Sequence, residues 1–341
     1  MIVSQIKDAN YLYFSLHAEE VFTSNYIKDN DEGIFVGSLQ YETICRLLTH
    51  LQKEQDPEIK YIILDFRHIV HIQNNILEKI IEIRRLDYKL IFKNIIADLI
   101  KALSLEAIDN PKNILNGNNG YDICYFFHGE LDEIYEVELN ANSIFKNYFK
   151  KLLKDNYIQT YDKKHASSFV YLHSFIDLKK LISLERPFIY FALYKLAVKI
   201  YSKWSDKINS GPILVGQSLT STFIVSVLSK LLKLDILIFD KIGPINKLYN
   251  KLEKHNFENK KYIIVSDLVC LGTEVKITKN LIEFSGGKYL GNVSLVKIET
   301  LTREDLNLDN IDRTIAIFSV SESNNKDLGY YIYTNLKPLD E

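Results

Sequence analysis

Lys261-Tyr-Ile-Ile-Val-Ser-Asp-Leu-Val-Cys-Leu-Gly-Thr-Glu274 sets the reading of the chain. Tyr262 to Val265 is a short apolar run of the kind buried in a parallel sheet. It ends on a polar pair, Ser266-Asp267, and a small loop with Gly272 and Thr273 follows. From Glu274 to Phe284 the apolar residues Val275, Ile277, Leu281 and Ile282 have helical spacing. Gly286-Gly287 then fits a helix C-cap. The order is strand, polar turn, glycine-containing loop, helix N-terminus. Open α/β sheets place ligands beyond the carboxyl ends of their strands. The free N–H groups of a helix N-terminus favour a phosphate there.

This stretch resembles the phosphoribosyl-pyrophosphate loop of type I phosphoribosyltransferases. That family has an apolar strand, two adjacent acids, two further residues, and a loop rich in Thr, Ser and Gly. Its acidic pair holds the ribose hydroxyls and its loop wraps the 5′-phosphate. Asp267 falls on the second acidic position and Gly272 on the loop glycine. Ser266 stands where the first acid belongs, Cys270 and Leu271 replace hydroxyl residues, Thr273 replaces a small residue, and Glu274 replaces the last hydroxyl. A carboxylate at Glu274 repels a phosphate, and like charges in contact cost several kcal/mol.

The chain has 341 residues, enough for two domains. Hydrophobic residues make up 47% and charged residues 25%, the balance of a soluble globular protein. No apolar run approaches the length of a membrane span, and the first residues lack a signal-peptide pattern. A formal net charge of −2 names no partner and gives no indication of nucleic acid. Cys45, Cys124 and Cys270 are scattered without metal spacing, which points to a reducing, cytoplasmic setting.

The first 140 residues alternate strand-like and helix-like segments. Tyr11–Leu16, Ile34–Val36, Tyr61–Leu64, Leu90–Ile95 and Tyr121–Phe127 read as strands. Tyr41–Gln55 reads as a helix on Ile44, Leu47, Leu48 and Leu51, and Ile76–Leu86 as another on Ile76, Leu77, Ile80 and Ile83. Between them, Asp65-Phe-Arg-His-Ile-Val-His-Ile-Gln-Asn-Asn-Ile-Leu77 resembles the central motif of STAS domains through Asp65, Phe66, Ile69, Ile72 and Leu77. The serine phosphorylated in that family falls on Asn75, which takes no phosphate and reads equally as the N-cap of the second helix. Ser143–Asp155 is amphipathic, with Lys146, Lys150, Lys151 and Lys154 opposite the apolar stripe, and reads as a connector helix with a solvated face.

From Ser167 the order of segments resembles orotate-type phosphoribosyltransferases. Phe169, Leu172, Ser174, Ile176 and Asp177 fit the opening segment, with its Ser-Gly turn shortened to His173-Ser174. Pro187 opens a helix to about Trp204. Ile213–Gly216 is a strand, Gln217–Ser221 a polar loop, and Leu219–Lys233 a helix. In the family this unit binds pyrophosphate through backbone N–H groups, which implicates Gly216, Gln217 and Ser218. Ser218 and its neighbours read equally as a polar N-cap cluster. Ile236–Phe239 is a further strand, and Asp240-Lys241 follows where the family carries Arg-Lys. The segment Ile242–Lys260 has the place of the family's mobile loop. Val293–Val296, Ile315–Phe318 and Tyr330–Tyr333 read as the remaining strands.

The expected architecture is therefore α/β: a STAS-like domain over 1–140, a helical connector over 141–166, and a phosphoribosyltransferase-like parallel sheet flanked by helices over 167–341. The resemblance implies Asp267 and Lys241 as catalytic residues. It implies Ser266, Cys270, Leu271, Gly272, Thr273, Glu274, Gly216, Gln217 and Ser218 as the ligand cradle. Mg²⁺ would sit on Asp267 when phosphoribosyl pyrophosphate is bound. Three functions follow. One is a nucleotide or phosphoribosyl binder with a regulatory or effector role, phage defence included by analogy. Another is an active orotate-type transferase, and the third is a protein-interaction scaffold. The family implies a homodimer, and the first domain offers a surface for a protein partner.

Overall fold

A computed structural model describes residues 5–16, 37–67, 69–105, 114–116, 123–126, 140–164, 171–239, 257–270, 272–298, 313–321 and 328. Ile34–Val36, Phe169, Asp240, Lys241, Leu271 and Tyr330–Tyr333 lie outside them, as does all of the mobile-loop segment before Phe257. The chain divides into two compact units, Met1–Tyr148 with Arg186–Phe191, and Phe149–Glu185 with Ala192–Glu341. No described helix is long and apolar enough to cross a membrane.

The first unit runs β1 (Gln5–Asp8), β2 (Tyr11–Ser15), β3 (Gly37–Leu39), α1 (Tyr41–Lys53), β4 (Tyr61–Asp65), β5 (Ile69–Ile72), α2 (Ile76–Arg84), β6 (Lys89–Lys93), α3 (Ala97–Ala102), β7 (Ile114–Asn116), β8 (Ile123–Phe126) and α4 (Ala141–Leu152). Its sheet has the order β1-β2-β4-β6-β8-β7. The centre, β2-β4-β6, is parallel, and antiparallel pairs close both edges. Strand alternation sends Leu12, Phe14, Ile62, Leu64, Leu90 and Phe92 to one face, where Ile44, Leu47 and Leu51 of α1 and Ile76, Ile80 and Ile83 of α2 pack. On the other face Tyr13 meets Phe191 edge-on, with ring centroids 5.9 Å apart. Phe145 of α4 meets Phe191 in turn at 5.6 Å.

The second unit adds a π-turn (Leu153–Tyr157), β9 (Ile158–Lys164), β10 (Tyr171–Ile176), α5 (Leu178–Leu184), α6 (Arg186–Asn209), β11 (Ile213–Gly216), α7 (Leu219–Leu232), β12 (Ile236–Ile238), β13 (Lys261–Val269), α8 (Thr273–Phe284), β14 (Lys288–Ile298) and β15 (Thr314–Val320). β9 and β10 form an antiparallel pair, and Asp177 caps α5 by accepting from the Lys180 amide at 2.9 Å. The main sheet is wholly parallel in the order β12-β11-β13-β14-β15. Ile213 and Val215, Tyr262 and Ile264, and Ile282 of α8 share one core cluster, so α8 covers that face.

Four sequence expectations are corrected. Segment 141–166 is not helical throughout: after α4 and the π-turn, Ile158 opens a strand that pairs with β10. Asn75 stands at the N-cap of α2 but has φ 67° and makes no capping hydrogen bond, so it supplies a left-handed turn rather than a side-chain cap. The polar pair Ser266-Asp267 does not end β13, because β14 goes on pairing as far as Val269↔Lys297. Ile277 is 39% exposed, while Thr278 and Ile282 are buried. The Gly286-Gly287 cap is as expected, with Gly286 N–H to Glu283 O at 3.1 Å and Gly287 N–H to Ile282 O at 2.9 Å.

The backbone at Asn75 generates a stability prediction. Left-handed φ costs an ordinary side chain roughly 1–2 kcal/mol, and glycine nothing. Asn75→Ala should lower unfolding free energy by about 1 kcal/mol, and Asn75→Gly should leave it unchanged or slightly raised. Urea unfolding measures both. Equal losses in the two variants would show that the side chain, not the turn, carries the effect.

Candidate functional site

The strand order places a reversal between β11 and β13. From β11 the chain moves outward to β12, then crosses back to β13 on the other side. Such a switch point opens a crevice at the carboxyl ends of the two strands. Here the walls are unequal. β11 stops at Gly216, registered with Val265, whereas β13 continues four residues further to Val269. Among the described residues, no strand pairs with the β11-facing edge of Ser266–Val269.

Gln217 leaves β11 at the floor of this crevice and is buried. Its Nε2 donates to Ser266 Oγ at 3.2 Å, and its Oε1 accepts from Thr278 Oγ1. Ser266 is on the α8 face because it continues the alternation of Tyr262 and Ile264. One amide thus joins β11, β13 and α8, and all three side chains are buried.

The loop after β11 is also satisfied from within. Ser221 Oγ accepts the backbone N–H of Gln217 and of Ser218, each at 2.8 Å. Ser218 Oγ accepts the Ser221 N–H at 3.1 Å, which completes a capping box at the start of α7. Thr222 Oγ1 donates to Ser218 O at 2.8 Å. Gly216 is close-packed, since a Cβ there would sit 3.4 Å from Thr222 and Val225. The two backbone donors expected to meet pyrophosphate are therefore already engaged.

Asp267 falls on the opposite face of β13 from Ser266, by the same alternation. It is half-buried, and its Oδ1 accepts the Leu268 N–H at 2.8 Å. Gly272 precedes α8 with φ 72° and open space where a Cβ would be, so conformation rather than crowding calls for glycine. Thr273 is half-exposed and Glu274 exposed in the first turn, where its charge suits the helix dipole. Cys270 is buried. The structure therefore gathers Gln217, Ser218 and Ser266, with Asp267 and the Gly272–Glu274 turn on separate surfaces of the strand end. Thr278 and Ser221 tie the network together. Thr278 was not picked out from the sequence. Its signal is a hydroxyl on the buried stripe Val275–Thr278–Ile282, at helical spacing.

Mg²⁺ takes several hard oxygens in octahedral array. The protein offers it Asp267, one oxygen of which is engaged, beside a Ser266 already bonded to Gln217. Among the described residues no group of three or more His, Cys, Asp or Glu side chains is placed to hold a metal. These residues alone do not fit the ion.

No protein-family model matches the chain, and no curated protein matches it. Solved structures with a similar fold are phosphoribosyltransferases. Orotate phosphoribosyltransferase from Aeropyrum pernix is 14% identical, with 53% of this chain and 99% of that chain covered and a TM-score of 0.39. The Mycobacterium tuberculosis orotate enzyme in complex with inorganic phosphate is 13% identical, covering 54% and 98%, with a TM-score of 0.36. APRTase from Giardia lamblia complexed with 9-deazaadenine is 15% identical, covering 43% and 86%, with a TM-score of 0.34.

The Gln217 amide predicts a non-additive series. Gln217→Leu strands the Ser266 and Thr278 hydroxyls in the core and should cost about 2–4 kcal/mol. Adding Ser266→Ala and Thr278→Val to Gln217→Leu removes the stranded groups and should recover at least half of that loss. Denaturant midpoints of the single and triple variants give the comparison. A triple variant as unstable as the sum of its parts would mean the three groups act independently.

Proposed function

We propose that the second unit binds a nucleotide or phosphoribosyl compound at the β11/β13 switch point, and acts as a sensor or effector rather than in nucleotide synthesis. The observation that carries this is the unequal crevice. β13 outruns β11 there, and Asp267 and the N-terminus of α8 stand at its carboxyl end. Asp267 suits a ribose hydroxyl, and the first N–H groups of α8 suit a phosphate. What favours binding over transfer is the donor set. Ser266 replaces a carboxylate, the Gln217 and Ser218 amides are engaged by Ser221, and the residues do not fit Mg²⁺ by themselves. In this reading the first unit is a STAS-like regulatory module open to a protein partner, and the chain is a homodimer.

The test is titration calorimetry with phosphoribosyl pyrophosphate and nucleoside monophosphates, beside a pyrophosphate-release assay with a panel of bases. At least one phosphate ligand should bind and raise the melting temperature, by about 2.7 kcal/mol of stabilisation at a hundredfold excess over Kd. Asp267→Ala should weaken it about tenfold, as for one lost hydrogen bond to a charged group. Glu274→Thr should strengthen binding of a 5′-phosphate by removing a like charge. Pyrophosphate release would establish an active transferase instead. No binding by any of these compounds would leave the interaction scaffold.

A further inference from the structure

We infer a second ligand site, in the first unit, at the carboxyl ends of β2, β4 and β6, for a neutral group that presents a hydrogen-bond acceptor beside an N–H donor. Ser15, Asp65 and Lys93 are in register across the three strands, so their side chains share a face. All three are buried, Lys93 to 4% exposure. Asn94 follows Lys93 in the left-handed conformation, with φ 54°. That turn brings its amide back to the row, where Nδ2 donates to Asp65 Oδ1 at 2.8 Å.

Asp65 is satisfied and the groups around it are not. Its Oδ1 accepts from Asn94 and from the Arg67 N–H at 2.9 Å, and its Oδ2 accepts from the Tyr13 hydroxyl. Its carboxylate is thus held by three donors. Lys93 makes no salt bridge and no side-chain hydrogen bond among the described residues, and neither does Ser15. The buried Asn94 Oδ1 has no partner. A buried ammonium without an acceptor and a buried carbonyl without a donor each destabilise the fold. Nothing in the sheet requires such residues at these positions, where β2, β4 and β6 otherwise carry apolar side chains.

The missing partners define the ligand. Lys93 calls for an acceptor, Asn94 Oδ1 for a donor, and the Ser15 hydroxyl takes either role. Asp65 and Lys93 already balance in charge. A neutral ligand keeps that balance, whereas an anion would leave a buried net negative charge. An amide-type edge, with C=O beside N–H, supplies both partners on adjacent atoms. A nucleobase lactam and a primary carboxamide share that chemistry.

Calorimetric titration of the full chain with uracil and with nicotinamide tests the site and separates the two sources. Dimethyluracil, methylated on both ring nitrogens, and N,N-dimethylnicotinamide lack the donor and serve as controls. One of the two parent compounds should bind, and its methylated counterpart about tenfold more weakly or not at all. Binding should fall at least about tenfold in Lys93→Met and persist in Asp267→Ala, which marks the other unit's crevice. Without ligand, Lys93→Met should melt higher than the native chain, because an unpaired buried charge has become apolar. The proposal is overturned if neither compound binds, if inorganic phosphate binds in their place, or if Lys93→Met melts lower without ligand. A crystal structure with one ordered water bridging Lys93 and Asn94, together with no binding, also overturns it.

Discussion

The second unit turns on a single buried carboxamide. Gln217 has one donor end and one acceptor end aimed at different elements, Ser266 of β13 and Thr278 of α8. It leaves β11 just where the strand order reverses. Burial makes these bonds consequential, since each lost partner strands a polar atom away from water. The amide therefore holds three elements in one register and also occupies the floor of the crevice that the topology opens. Fold and site compete for the same atoms there, and the fold takes the side chains.

The two polar clusters of this chain contrast in that respect. In the second unit, Gln217, Ser218, Ser221, Ser266 and Thr278 find partners among themselves. In the first, Asp65 is triply bonded while Ser15, Lys93 and Asn94 Oδ1 are not. A closed polar network acts as structure, whereas an open one retains interaction energy for something else. Residue types alone do not distinguish the two, because serine, asparagine and glutamine occur in both kinds of cluster. The satisfied-or-not count does.

Much of the fold was legible because apolar periodicity is local. The stripe Ile44, Leu47, Leu48, Leu51 and the run Tyr61–Leu64 each declare one element without reference to distant residues. The parallel sheet of the second unit followed from buried runs at Ile213 and Tyr262, separated by helix-length segments. What escaped was set by neighbours. β13 runs past Ser266-Asp267 because β14 is long enough to go on pairing with it, which the polar pair itself cannot reveal. Asn75 has the residue type of a cap but is used for its tolerance of positive φ. Thr278 pairs with a glutamine 61 positions away, a separation that no local pattern encodes. In the candidate site, glycine and aspartate positions were readable from order, while the faces to which Ser266 and Asp267 point required the strand to be seen at full length.

The overhang of β13 has a consequence for how any ligand there would be held. The edge of Ser266–Val269 offers peptide groups, not side chains, toward the crevice. Peptide N–H and C=O groups do not titrate under physiological conditions. A grip built on them would be indifferent to acidity across the neutral range. It would also tolerate turnover of the residues that display it, because exchanging a side chain leaves the main-chain donors and acceptors in place. Such a surface keeps a constant hold on its ligand while the sequence around it changes.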